Sequence, residues 1–206
     1  MYTPQGTVYG TLMNFRGEWD ALGAAMNEPP YKAPPKAPVL YVKTANTFSP
    51  NGARIALPQR VSEVEIGASV GMVMKSATEV AGYVLMNDLS IPHTSFFRPP
   101  VKFKCLDSFL GVGDRLRARN EAGDPATFKL EVRINGELKQ TVRFSELMRP
   151  ADKLLADVSE FMTLRPGDVL MLGCDANRPR AKAGDHIEIS MPALGTLANA
   201  LVQEAA

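Results

Sequence analysis

Histidine and cysteine are scarce, with two of each in 206 residues. Cys105 and Cys174 are too few for a disulfide framework or a cysteine-built zinc site. His93 and His186 alone exclude a histidine-rich metal centre, so any metal would need oxygen ligands. Charge of one sign is lacking too. The chain has 23 Lys+Arg against 22 Asp+Glu, a formal net charge of +1, which is not the basic excess of a nucleic-acid binder. No block of like charges forms an acidic or basic tail. Apolar runs such as Val70 to Met74 fall far short of the roughly 20 residues that span a bilayer. The first residues show neither the basic nor the apolar region of a secretory signal. These absences predict a cytoplasmic protein with reduced thiols and no nucleic-acid or membrane partner. The length predicts one domain over 1–206, large enough to fold without disulfides or structural metal. The Gly-x-Ser-x-Gly elbow, the P-loop, the dinucleotide fingerprint and His-Glu-x-x-His are all absent.

Turn punctuation is what the chain has in quantity. Sixteen glycines and sixteen prolines are scattered, which favours strands and turns over a helical bundle. Strands are predicted over 7–13, 39–43, 54–57, 67–74, 80–86, 114–119, 169–172, 186–191 and 195–203. Phe15, Trp19, Leu22 and Met26 recur at helical spacing, with Asn14 as the N-cap candidate. Five prolines in 28–38 forbid helix or ladder pairing there and predict an extended arm wrapped on the surface. Asn135-Gly136 between alternating segments predicts a β-hairpin over 127–144 with a type I′ turn. Leu154, Leu155, Val158, Phe161 and Met162 form one stripe of a helix over 151–163. The sum is a mixed α+β, mainly β, fold.

Few residues invite chemistry by pattern alone. Glu63 and Glu65 share one face if extended and could hold a hard cation; a solvated strand face is the competing reading. Asp88 ends an apolar strand, where a carboxylate can enter a cleft, though turn residues have the same signature. His93 sits in a proline-rich loop, and Lys102 and Lys104 flank Phe103. A lysine held near a carboxylate in a closed site can act as a charge clamp, and an ordinary surface lysine looks no different in sequence.

Gly82-Tyr-Val-Leu-Met-Asn-Asp-Leu-Ser90, Lys104-Cys-Leu-Asp-Ser-Phe109, Leu164-Arg-Pro-Gly-Asp-Val-Leu-Met-Leu-Gly173, Ala183-Gly-Asp-His-Ile-Glu188 and Leu194-Gly-Thr-Leu197 together resemble the fumarylacetoacetate hydrolase superfamily. Asn14-Phe15 and Pro38-Val-Leu-Tyr-Val-Lys43 extend the resemblance to the start. Tyr31 to Lys36, Ser95-Phe-Phe-Arg-Pro99 and Lys102 to Cys105 narrow it to the first of two homologous halves of the decarboxylase/isomerase branch of 4-hydroxyphenylacetate catabolism. The resemblance implies a β-roll with a few short helices. It implies a lyase or isomerase acting on small unsaturated di- or tricarboxylates, as a homo-oligomer or with a homologous subunit. It implies Lys104, Ser108 and Asp107 as catalytic residues and Lys43 and Arg98 as substrate contacts. Mg²⁺ or Mn²⁺ is implied at Asp88, but the superfamily's Glu-x-Glu positions fall on Gly67 and Ser69. The superfamily's catalytic His falls near Glu18, its substrate-gripping Arg at Pro92, and the Thr of its Thr-Gly-Thr at Cys174. These departures imply a second reading, a non-catalytic partner of an active homologous subunit.

Overall fold

The computed structural model describes residues 1–93 and 100–205. Arg98 lies outside the described residues. Two sheets carry most of the chain. In the larger, the order is Val39–Lys43, Val8–Leu12, Val169–Met171, Ala68–Met74, Val80–Asp88, Leu110–Val112 and Phe48–Pro50, with Arg117–Ala118 also pairing with Val80–Asp88. The smaller runs Glu137–Arg143, Lys129–Ile134, His186–Met191, Gly195–Gln203 and Arg54–Leu57. A short pair, Val64–Glu65 with Arg180–Ala181, stands apart. The architecture is mainly β, with short helices, as the turn-rich composition predicts.

The main core lies between the sheets. Val70, Met72, Tyr83 and Leu85 from the larger meet Leu130, Val132, Ile189 and Leu197 from the smaller. A second cluster, with Val8, Val84, Met86 and Val169, covers the other face of the larger sheet. Ala68–Met74 is buried at all seven positions, because it has neighbours on both edges and apolar cover on both faces. Each fully buried aliphatic or aromatic side chain contributes about 1.5–3 kcal/mol. That margin lets the fold carry buried charge, whose desolvation costs several kcal/mol per ion.

Most predicted elements form. The hairpin closes with Ile134 opposite Glu137 and positive φ at Asn135 and Gly136, as a type I′ turn requires. His186–Met191 and Gly195–Gln203 match their predicted spans. Asn14 differs: it caps nothing. Its amide donates to the carbonyls of Arg149 and Leu172 at 3.1 and 2.9 Å, and its oxygen accepts from the Arg149 N–H at 3.0 Å. The helix it precedes spans only Arg16–Leu22 before Gly23, at φ 41°, turns it into a 3₁₀ segment. The 114–119 segment pairs only at Arg117–Ala118 and then forms the helical turn Arg119–Ala122.

Candidate active site

Strand alternation assembles the site around Asp88. Within Val80–Asp88, Tyr83 and Leu85 face the inter-sheet core, while Val84 and Met86 face the other way. Asp88 follows Val84 and Met86 by the same period. Along Val39–Lys43, Tyr41 and Lys43 are buried and Val42 is exposed, so Tyr41 and Lys43 turn inward together. Lys104 ends the helical turn Val101–Lys104, which follows Pro100. All four side chains are buried.

Their geometry is a double ion pair with a phenol. Lys104 Nζ donates to Asp88 Oδ2 at 2.6 Å, and Tyr41 Oη donates to the same oxygen at 2.5 Å. Lys43 Nζ lies 3.0 Å from Asp88 Oδ1. Lys43 also donates to the carbonyls of Phe109 (2.8 Å), Leu89 (3.4 Å) and Lys104. Lys104 Nζ sits 4.9 Å from the centre of the Tyr41 ring, within cation–π range. Burial alone would raise the Asp88 pKa, but the two ammoniums outweigh it and hold the carboxyl well below the usual carboxylate range. Burial lowers the Lys43 pKa against the pull of Asp88. Burial and the Asp88 charge push Tyr41 well above the usual phenol range, so its proton stays on as a donor.

Lys43 and Lys104 differ in what they have left to offer. Lys43 is enclosed by three carbonyls and a carboxylate. Lys104 has only Asp88 as an acceptor among the described residues. An ammonium has three donors, so two remain for another acceptor.

A second charged group adjoins the first. Glu18, in the first turn of Arg16–Leu22, accepts from the Met13 N–H and from Arg178 Nη2, both at 2.5 Å. Burial raises the Glu18 pKa in spite of Arg178. Arg178 also lies 3.8 Å from Glu65. Glu18, Glu65, His93, Arg178 and Arg180 line a cavity of about 380 Å³. Lys104 lies within electrostatic reach of Glu18, His93 and Cys174, although neither it nor Asp88 lines the cavity. Of the larger hollows elsewhere, two gather no buried charged side chain, and one of about 570 Å³ is bordered by the buried Lys43 and Asp168. In the combined group, the cations of Lys43, Lys104 and Arg178 face the buried carboxylates of Asp88 and Glu18. With Glu65 beside Arg178 the combined group balances at three cations and three carboxylates, so any room for an anionic ligand lies at Lys104 rather than in a net excess.

The expected site residues are only partly brought together. Asp88, Lys104 and Lys43 converge. Asp107 is exposed and accepts from Asn46 Nδ2 at 2.6 Å. Ser108 sits at φ 65°; its N–H donates to Asn46 and its carbonyl accepts from Ser49. Neither shares a hydrogen bond with the Asp88 cluster among the described residues, because the turn at Ser108 directs both toward the 46–49 segment. Glu63 pairs with Arg180 at 2.6 Å on the surface. His93 stacks on Phe103 at 4.6 Å between ring centres, its Nδ1 2.9 Å from the Ile91 carbonyl, and burial lowers its pKa. The sequence reading did not single out Tyr41 or Arg178. The i, i+2 pairing of Tyr41 with Lys43 was a usable signal, whereas Arg178 lies in a polar turn that carries none.

The donor set does not suit a divalent ion. Asp88 Oδ2 accepts from Lys104 and Tyr41, and Oδ1, which accepts no hydrogen bond among the described residues, lies 3.0 Å from Lys43 Nζ. Gly67 stands where the resemblance would put a glutamate, and a Cβ there would lie 2.4 Å from the Asp88 carbonyl oxygen. Ser69 spends its hydroxyl on the Gly173 carbonyl at 2.7 Å. Among the described residues, no three His, Cys, Asp or Glu side chains are arranged to hold a metal. Unit charges 4 Å apart repel by about 4 kcal/mol at an effective dielectric of 20, and a divalent ion would double that against each ammonium.

Comparison with known proteins places this geometry. The family described as fumarylacetoacetate (FAA) hydrolase C-terminal matches residues 7–202. The 4-hydroxyphenylacetate degradation bifunctional isomerase/decarboxylase of Escherichia coli is 37% identical over 210 residues, covering 97% of this chain and 48% of that protein. Its Salmonella dublin counterpart is 35% identical with the same coverage. This chain therefore spans about half the length of the curated relatives it matches. Fumarylpyruvate hydrolase from Pseudomonas aeruginosa, solved in complex with Mn²⁺ and pyruvate, superposes with a TM-score of 0.81 at 19% identity, covering 97% of this chain and 90% of that one.

Proposed function

This chain belongs to the fumarylacetoacetate hydrolase family, and on that premise we propose that it acts in 4-hydroxyphenylacetate catabolism as a carbon–carbon lyase and isomerase. The substrates proposed are 5-oxopent-3-ene-1,2,5-tricarboxylate for decarboxylation and 2-hydroxyhepta-2,4-diene-1,7-dioate for isomerisation. The names of the relatives at 35% and 37% identity support the pathway. The observation that carries the chemistry is Lys104, a buried ammonium held by Asp88 with no second acceptor among the described residues.

Decarboxylation breaks the bond to a carboxylate and sends the electron pair to the carbonyl oxygen as CO₂ leaves. In this reading Lys104 donates to that oxygen as its negative charge develops. A donor fixed in advance in a dry site stabilises such charge better than water does. Asp88, Tyr41 and Lys43 fix the Lys104 ammonium, and the Lys43 carbonyl contacts make it a positioning residue. Arg178 and Arg98 are the proposed contacts for a remote carboxylate. Glu18 and His93 are the proposed acid/base groups for reprotonation at carbon. Such a step contributes roughly 10²–10⁴-fold. Asp107 and Ser108 enter the proposal only by family resemblance.

Purified protein should consume the tricarboxylate with release of CO₂. Lys104→Ala should lower the rate by about 10²–10³-fold, the range for loss of one oxyanion donor. Full activity in that variant would refute the assignment. A second reading, a non-catalytic partner of a homologous subunit, is favoured by Gly67 and Ser69 at the glutamate positions. It expects co-purification with that subunit and no turnover by this chain alone.

A further inference from the structure

A hydrolase of the same fold was solved with Mn²⁺ and pyruvate; in this chain two lysines and a tyrosine surround the Asp88 carboxylate. We infer that the Lys104 ammonium is the resident cation of this site, and that the chain takes α-keto or enol carboxylates directly on it, without a divalent metal. The ligand class rests on the function proposed above; the replacement of metal by ammonium rests on geometry alone.

Three arrangements make the replacement permanent. Lys43 is anchored by the carbonyls of Leu89, Lys104 and Phe109, so its ammonium cannot swing aside to clear Asp88 Oδ1. The Lys43 contact to the Lys104 carbonyl also fixes the backbone from which Lys104 reaches Asp88. The Gly67 backbone is drawn against Asp88 by the Asp88 N–H to Gly67 carbonyl bond at 2.8 Å. A side chain at 67 would therefore collide with the Asp88 carbonyl oxygen. The missing glutamate is not an open position awaiting a ligand but one the chain has closed. Around Asp88 itself two lysines share one carboxylate, so the partner this cluster favours is an anion.

The test uses the intact chain, Mn²⁺ alone, and oxalate as a small planar dicarboxylate. Free Mn²⁺ counted by electron paramagnetic resonance should be undiminished by stoichiometric protein at millimolar concentration. Oxalate titrated calorimetrically in excess EDTA should bind. Lys104→Gln should weaken that binding by about tenfold or more, near 1.4 kcal/mol, and Lys104→Arg should restore most of it. Should Lys104→Gln fail to fold, as judged by circular dichroism, the wild-type Mn²⁺ and oxalate measurements decide. Stoichiometric Mn²⁺ uptake abolished by Asp88→Asn would overturn the inference, as would oxalate binding that needs Mn²⁺ or no oxalate binding under either condition. Metal-free oxalate binding without turnover of the tricarboxylate would keep this inference and remove the proposed reaction. Turnover abolished by EDTA and restored by Mn²⁺ would do the reverse.

Discussion

Asp88 and Glu18 are both buried carboxylates, and their surroundings drive them apart. Asp88 has two ammoniums and a phenol on its oxygens, and its pKa is held well below the usual range despite burial. Glu18 has a single guanidinium and one backbone N–H, and desolvation wins, raising its pKa. Asp88 is therefore the carboxylate more strongly held as an anion, and Glu18 the one that takes up a proton more readily. Asp88→Asn would leave Lys43 and Lys104 buried without their counter-ion, and breaking a buried pair in this way costs about 3–5 kcal/mol. Urea denaturation should show a loss of that size. The pH dependence has a definite sign. A carboxyl whose folded pKa is depressed adds stability that is present above its unfolded pKa and lost as pH falls toward the folded value. The stability of the wild type should fall on the acid side, and that slope should be shallower in Asp88→Asn. An unchanged acid slope would mean that the ion pairs do not govern the Asp88 titration.

Elements set the approach of these side chains, and one glycine sets the approach of an element. Gly10 lies directly opposite Tyr41 in the antiparallel pair of Val8–Leu12 with Val39–Lys43, and the Tyr41 ring covers it. A Cβ at position 10 would sit 2.0 Å from a ring atom. Gly10→Ala should thus push the ring away from Asp88 and from Lys104, at a cost of about 1–3 kcal/mol for overpacking. It should lower activity with the pairing of the strands intact by circular dichroism. Tyr41→Phe, which keeps the ring and loses only the hydroxyl, should retain more stability than Gly10→Ala; the opposite order would place the ring's role elsewhere. The same elements show what a sequence can reveal. The Asn135-Gly136 hairpin and the His186–Met191 and Gly195–Gln203 strands were legible because period and turn chemistry are local. The inward pairing of Tyr41 and Lys43 was legible in principle, from period two alone. The alternation over 114–119 marked a strand but overstated its length: only Arg117–Ala118 pairs before the chain enters the helical turn Arg119–Ala122. The turn at Ser108 was not legible: its positive φ takes Asp107 and Ser108 toward Asn46 although they follow Lys104 closely in the chain. Asn14 read as a helix cap because its tertiary acceptors, Arg149 and Leu172, lie far along the sequence.

At the scale of the whole molecule, the site is a junction of distant segments: Tyr41 and Lys43, Asp88, Lys104, and Arg178. No subset of the chain holds it, so the junction should open only when the sheets separate. Cys174 offers a probe of that opening. It is buried, a Cβ at Gly67 would lie 3.0 Å from its sulfur, and burial pushes its thiol pKa up to about 12. At pH 8 the thiolate fraction is then on the order of 10⁻⁴ even before access is considered, against an unperturbed thiol pKa near 8.5. Cys105 is half-buried at the outer edge of this junction, next to Lys104 in the chain, with its sulfur 3.2 Å from the Val42 carbonyl. Iodoacetamide at pH 8 should therefore modify Cys105 first. The modification of Cys174 should accelerate with urea in parallel with loss of the far-ultraviolet signal, because the group regains an ordinary pKa and access in the same event. If Cys174 reacted in native buffer as fast as Cys105, the junction would open without global unfolding. The buried charges would then meet water in the resting protein, and the electrostatic argument for Lys104 as a dry, fixed cation would fail with them.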